Sequence, residues 1–267
     1  MSTDPETSGI DALLEVMARL RDPDGGCPWD LEQTFETITP YTIEEAYEVA
    51  DAVERGDMND FKEELGDLLL QVVFQSQIAR EAGLFDFDAV AGAEAQKLIS
   101  RHPHVFGDAV AADAAAVTEI WNAQKDKEKA SARQHLLDGV TRGLPALMRA
   151  QKIHRKVAKV GFDWPETDQV FAKLDEEIVE LKQARRNNDA KNLEEELGDI
   201  LFVTCVLAEH LGVDAELALR AANNKFINRF NSLEDLMKVN SQEFGSTSLE
   251  QMDAHWNTVK AAEKSGA

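Results

Sequence analysis

Basic residues are scarce in this chain: 28 Lys and Arg stand against 50 Asp and Glu, a formal net charge of −22 over 267 residues. A surface this acidic argues against sequence-independent binding to DNA or RNA, which needs basic patches, and against anionic membrane surfaces. Cysteine is nearly absent. Cys27 and Cys205 have neither metal-type nor disulfide-type spacing, which points to a reducing, cytoplasmic setting. The N-terminal MSTDPETSG is polar and is followed by an amphipathic stretch, not by a secretory apolar core. No apolar run reaches the roughly 18–20 residues needed to span a bilayer. Gly and Pro together number 22 and aromatics make up 7%, a composition that suits helices.

What the chain does have, it has twice. IEEAYEV at 43–49 is answered by DEEIVEL at 175–181, and EELGD at 63–67 by EELGD at 195–199. Glu45, Glu48, Glu64 and Asp67 map onto Glu177, Glu180, Glu196 and Asp199 with one constant offset of 132. KLISR (97–101) recurs as KFINR (225–229), and WNAQK (121–125) as WNTVK (256–260), at offsets of 128 and 135. Connecting segments therefore vary while elements persist, the signature of a duplicated unit. CPWD (27–30) and GFDWP (161–165) each place a Trp in a turn ahead of the first acidic helix. The polar DKEKASARQH (126–135) lacks apolar periodicity and reads as the linker, giving units 1–130 and 131–267.

Apolar spacing at i, i+3, i+4 and i+7 predicts an all-α fold of two tandem helical-bundle units. Helices are expected over 10–21, 42–55 (after Pro40), 60–82, 86–101 and 113–130, then over 144–158, 166–186, 190–211, 214–238 and 248–263.

Positions i and i+3 of a helix share a face, so Glu45 points with Glu48, and Glu64 with Asp67. A single Glu-x-x-Glu is ordinarily a solvated face. Here the helix after Glu64 is apolar nearly all round, which predicts burial on every side. Residues 36–67 hold eleven acids against only Arg55 and Lys62, and the four-carboxylate pattern occurs twice. Unpaired buried carboxylates cost several kcal/mol each. A hard divalent cation, Mg²⁺ with Mn²⁺ as a possible substitute, removes that cost. A helical di-iron centre would instead show Glu-x-x-His, and neither copy does. HPH at 102–104 has no counterpart in the second unit and reads as a helix stop. Gly66 and Gly198, set between the acids, admit a close approach by a backbone or ligand, or simply relieve helix crowding.

The repeated cations complete the pattern. Lys97 with Arg101, and Lys225 with Arg229, are i, i+4 pairs that suit phosphate oxygens. Trp121 shares a helix face with Lys125, and Trp256 with Lys260, so that a base could stack on the indole; core packing is the ordinary role of such a Trp.

The spacing EExxE, fifteen residues, ExxD resembles the signature of the MazG family, all-α nucleoside triphosphate pyrophosphohydrolases. CPWD, RHPHVFGD and LPALMRAQK extend the likeness over nearly the whole chain, in the family's tandem form. The resemblance implies hydrolysis of a nucleoside triphosphate to monophosphate and pyrophosphate with Mg²⁺, and a homodimer. It implies the eight acids as ligands, and attack at the α-phosphorus. The C-terminal unit is expected to be the main site on the family's precedent alone, since both acid sets are intact. On this expectation Glu48 or Glu180 acts as general base, and Lys225, Arg229 and Lys260 meet the departing pyrophosphate. The competing reading is a non-catalytic helical regulator or scaffold that binds metal and nucleotide without turnover.

Overall fold

The computed structural model describes residues 9–129 and 134–265, and every regular element among them is helical. The chain divides into two compact units, 1–130 and 131–267. The first holds α1 (Gly9–Leu20), α2 (Pro28–Glu32), α3 (Phe35–Arg55), α4 (Met58–Glu81), α5 (Phe87–Arg101), α6 (Pro103–Phe106) and α7 (Ala114–Lys129). The second holds α8 (Ala146–Ala158), α9 (Thr167–Asn187), α10 (Ala190–His210), α11 (Ala215–Val239) and α12 (Leu249–Ser265).

Each unit is built on an antiparallel helix hairpin, α3 against α4 and α9 against α10. Local chemistry makes both turns. In the first, Gly56 stops α3 in the left-handed region (φ 70°), and the Asp57 carboxylate then accepts from the Asn59 and Asp60 N–H groups to start α4. In the second, Asn188 takes the left-handed position (φ 51°) and Asp189 caps α10 by accepting from Asn192 N–H. An αL residue followed by an Asp cap turns the chain in two residues. The first core joins Met17, Ile38, Val73, Phe74 and Ile78 of α1, α3 and α4. The second joins Val170, Val203, Val206 and Leu207, with Trp164 and Leu174 against them.

Four sequence expectations are corrected. Helix α3 begins at Phe35, seven residues before the expected start, and carries Pro40 inside it. The Thr34–Thr37 capping box starts the helix early enough that Pro40 forfeits a single ladder bond. Trp29 lies in the short helix α2, not in a turn. The expected linker is in part helix: 126–129 close α7, while 130–133 lie outside the described residues. Finally, α4 and α10 are not buried all round. Leu65, Leu69 and Val72 are exposed on α4, and Leu197, Leu201 and Phe202 on α10. Each hairpin covers one side of its apolar helix and leaves the other open. No helix among the described residues is long and apolar enough to cross a membrane.

Candidate functional site

The hairpin geometry brings the repeated acids together. Glu48 lies eight residues before Gly56 and Glu64 seven after Asp57. At about 1.5 Å of rise per residue on antiparallel helices, these positions end level with each other. The second unit repeats the arithmetic, with Glu180 eight before Asn188 and Glu196 seven after Asp189. Carboxylate oxygens of Glu45, Glu48 and Glu64 lie within 4.8 Å of one another, as do those of Glu177, Glu180 and Glu196. Asp67 and Asp199 stand outside these groups of three and act on them through charge.

The electrostatics of both groups are those of crowded anions. Partial burial, a hydrogen bond with Glu48 and the charges of Asp67, Glu48 and Glu64 push the Glu45 carboxyl above its ordinary value. Glu64 is pushed up by desolvation and by Glu48, Asp60 and Asp67. Glu196 is pushed up by desolvation and then by Glu180, Glu177 and Asp199. Three oxygen donors per group, with Glu45, Glu64 and Glu196 pushed up by their crowding, fit a hard divalent cation.

The two sites are not identical. Glu177 is buried, and Lys173 one turn earlier contacts its Oε1 at 2.7 Å and that of Glu176 at 2.7 Å. Both carboxylates raise the Lys173 pKa. In the first unit the matching Glu45 accepts from the Gln71 amide at 3.4 Å and shares a hydrogen bond with Glu48. Sequence reasoning missed Lys173, although its i, i+4 relation to Glu177 is an available signal. Among the described residues, a Cβ at Gly66 or Gly198 would meet no atom within 4 Å beyond its neighbours and its own helix backbone. Neither reading of these glycines, close approach or relief of crowding, is met by the chain itself.

The expected cations gather on the other helices, already partnered. Arg101 Nε donates to Glu128 Oε2 at 3.1 Å, and its guanidinium lies 5.1 Å from the Trp121 ring. Arg229 Nε donates to Glu263 Oε2 at 2.8 Å. Lys97 pairs with Glu94. Lys125 sits one turn beyond Trp121 on α7. Hydrogen bonds from Arg229 hold Glu263 below the usual carboxylate range, with smaller help from Lys225 and Lys260. Arg229 thus pairs with Glu263, and Lys225 and Lys260 act on the same acid through charge. Glu128 and Glu263 were missed, yet the motif W-N-x-x-K-x-x-E recurs at 121–128 and 256–263. Trp256 packs at 5.3 Å from Phe226, and with Phe230, Leu233, Phe244 and Met252 these rings line a cavity of about 290 Å³ between α11 and α12.

The pattern agrees with known proteins. A family model described as the MazG nucleotide pyrophosphohydrolase domain matches residues 33–106, which carry the first four acids. One described as phosphoribosyl-ATP pyrophosphohydrolase matches 147–226, which carry the second four. The nucleoside triphosphate pyrophosphohydrolase of Escherichia coli K12 is 50% identical over 259 residues, covering 95% of this chain and 98% of that protein. A Thermotoga maritima protein named nucleoside triphosphate pyrophosphohydrolase/pyrophosphatase MazG is 40% identical over 255 residues, covering 96% and 97%. A Mycobacterium tuberculosis nucleoside triphosphate pyrophosphohydrolase is 31% identical over 279 residues, covering 98% and 74%. The chain belongs to the MazG family. It is a tandem member in which both MazG-type hairpins keep a three-oxygen group. As a MazG hydrolase it acts on nucleoside triphosphate pyrophosphate bonds.

Proposed function

We propose that the protein hydrolyses nucleoside triphosphates to monophosphate and pyrophosphate with Mg²⁺, Mn²⁺ being a possible substitute. The observation that carries this reading is the twofold convergence of three carboxylate oxygens within 4.8 Å on hairpins of matching geometry. Glu45, Glu48, Glu64 and Asp67, and Glu177, Glu180, Glu196 and Asp199, hold the cation. A divalent ion there supplies Lewis acidity toward the triphosphate and acidifies water. Glu48 and Glu180 are the exposed members of their groups, free to take a proton from an attacking water. Arg229, Lys225 and Lys260 answer the phosphates, Arg229 by exchanging the Glu263 carboxylate for a phosphate oxygen. Lys97, Arg101 and Lys125 do the same in the first unit. Trp121 and Trp256 stack on the base. The net charge of −22 is no obstacle, since the substrate arrives with its cation.

Incubating purified protein with a nucleotide panel and Mg²⁺ should release pyrophosphate and monophosphate. Release of orthophosphate and diphosphate would move the point of attack, and no turnover would favour the non-catalytic scaffold. The open apolar faces of α4 and α10 support a homodimer. Light scattering should give twice the 29.6 kDa chain mass, and a mass of 29.6 kDa would refute the homodimer. Both cysteines are free thiols, in keeping with a cytoplasmic location.

A further inference from the structure

A second cluster of ligand-type side chains lies in the C-terminal unit, apart from the hairpin acids. His154 from α8, Asp163 from the α8–α9 connection and His210 from the last turn of α10 converge there, with one ligand atom from each within 4.8 Å of the others. His154 Nε2 and His210 Nε2 each lie 2.9 Å from the same oxygen, Asp163 Oδ1, and Trp164 N–H donates to it at 2.8 Å. Three nitrogens crowd one carboxylate oxygen.

The surroundings hold this arrangement in place. Gln151, three residues before His154 and buried, donates to Val213 O at 2.8 Å and accepts from Ala215 N–H at 3.0 Å. That ties α8 to the turn following α10. Arg155 Nε donates to Glu209 Oε2 at 2.8 Å, closing the outer side. Burial works against the Asp163 charge, but hydrogen bonds from His210, His154 and the Trp164 N–H outweigh it and keep the carboxyl below its usual range. His154 is 3% exposed, while the side chains of His210 and Asp163 are 12% and 30% exposed, so one side of the cluster opens to solvent.

The first unit closes the matching corner differently. Ile78 is the position that answers His210 at the offset of 132. There Arg21, at the end of α1, grips Glu81, at the end of α4, with Nε and Nη2 at 3.0 and 2.7 Å. An ion pair joins the two helices in each copy, Arg21 with Glu81 and Arg155 with Glu209, and the second copy adds two imidazoles with a carboxylate.

We propose that His154, Asp163 and His210 form a binding site for a divalent transition-metal ion of the Zn²⁺ class, which clamps α8 to α10. Two imidazoles and one carboxylate suit Zn²⁺ and not Mg²⁺, whose ligands are oxygens. Ligand atoms around tetrahedral Zn²⁺ at about 2.0–2.1 Å stand roughly 3.3 Å apart. The two His–Asp163 spacings of 2.9 Å need to open by only a few tenths of an ångström, and the ligand atoms of the two imidazoles lie within 4.8 Å of each other. Solvent on the open side completes the coordination. Ligation through Nε2 leaves the His154 proton on Nδ1, which is buried and has no hydrogen-bond partner. A ligating imidazole without an outer partner binds about 10–100-fold more weakly. The ion is therefore expected to exchange and to be lost on dialysis against chelator.

The test uses the full chain, stripped of metal and then kept in millimolar-range Mg²⁺ so that the hairpin carboxylates are filled. Zn²⁺ added to this protein should bind at one equivalent per chain and raise the thermal midpoint. Co²⁺ in its place should give the strong visible absorption of a tetrahedral nitrogen-containing site. His154→Gln and His210→Asn should each weaken Zn²⁺ binding at least about 10-fold and remove the thermal shift, whereas Glu180→Gln should leave both unchanged. Zn²⁺ binding retained in both histidine variants, or lost in Glu180→Gln, would overturn the site. Should either histidine variant fail to fold, the wild-type Co²⁺ spectrum decides alone, and its absence in Mg²⁺ refutes the proposal. Pyrophosphate release by His154→Gln in Mg²⁺ should match wild type, which separates this site from the hydrolytic one.

Discussion

Glu196→Gln combined with Asp199→Asn is expected to lower turnover about 10³-fold, the equivalent of losing roughly 4 kcal/mol of metal-ion stabilisation. Glu64→Gln with Asp67→Asn is expected to remove less. The expectation of asymmetry comes from the family's precedent, and the two acid groups also differ in their neighbours. Without Glu196, only Glu177 and Glu180 remain of the second group, and Glu177 is already engaged by Lys173. A single unengaged carboxylate cannot hold a divalent ion. Without Glu64, the first unit keeps Glu45 and Glu48, and the Gln71 amide competes for only one of them. The base side of the argument points the same way. The cavity between α11 and α12 is lined by Trp256 and three phenylalanines, whereas Trp121 is flanked by Arg101 and His102. Steady-state rates of pyrophosphate release for the two double variants make the comparison. Equal losses would show two equivalent sites, and undiminished rates in both would end the metal-site reading.

How much of this site could be read from the letters depends on the range of the interactions. Glu45 with Glu48, and Glu177 with Glu180, are one helical turn apart, and their pairing follows from 3.6 residues per turn. Glu64 and Glu196 join them because a two-residue turn of fixed chemistry follows each first helix, and Gly56-Asp57 and Asn188-Asp189 are recognisable turn residues. The open faces of α4 and α10 were not legible. Periodicity says that Leu69 or Leu201 should be covered, but not that the helix's own hairpin leaves it exposed. Pro40 misled because a proline is tolerated inside a helix whose capping box lies only six residues upstream. Arg101 and Arg229 stand out in the sequence as a repeated pair of cations, but their acid partners do not. Their acids, Glu128 and Glu263, are 27 and 34 residues away, and only the repeated W-N-x-x-K-x-x-E betrays them. His154, Asp163 and His210 are not repeated in the first unit, where Ile78 stands in the place of His210, so the duplication gave no help with them.

Neutralising the acids should leave the metal-free protein as stable as wild type or more so. Glu45, Glu64 and Glu196 all titrate above the ordinary glutamate value of 4.5 in the folded chain. A carboxyl whose folded pKa is raised binds protons more readily folded than unfolded, so it opposes folding at every pH above that raised value. The opposition fades as pH falls through the raised value and is gone below about 4.5. In chelator at neutral pH, Glu196→Gln with Asp199→Asn should therefore melt no lower than wild type, and any advantage should vanish as pH drops toward 4.5. Mg²⁺ reverses the order. An ion that binds only the folded state adds RT ln(1 + [L]/Kd), roughly 2.7 kcal/mol at a hundredfold excess over Kd, and the double variant should lose most of that gain. Lys173 tempers the repulsion at Glu177 but reaches neither Glu180 nor Glu196, so the sign should survive its presence. Thermal melts of both proteins, in chelator and in millimolar-range Mg²⁺ (about ten to a hundred times a weak Kd), give four midpoints. A variant markedly less stable than wild type in chelator would mean that protein hydrogen bonds hold these carboxylates. The acids would then be part of the hairpin's own structure, and no cation would be needed to account for them.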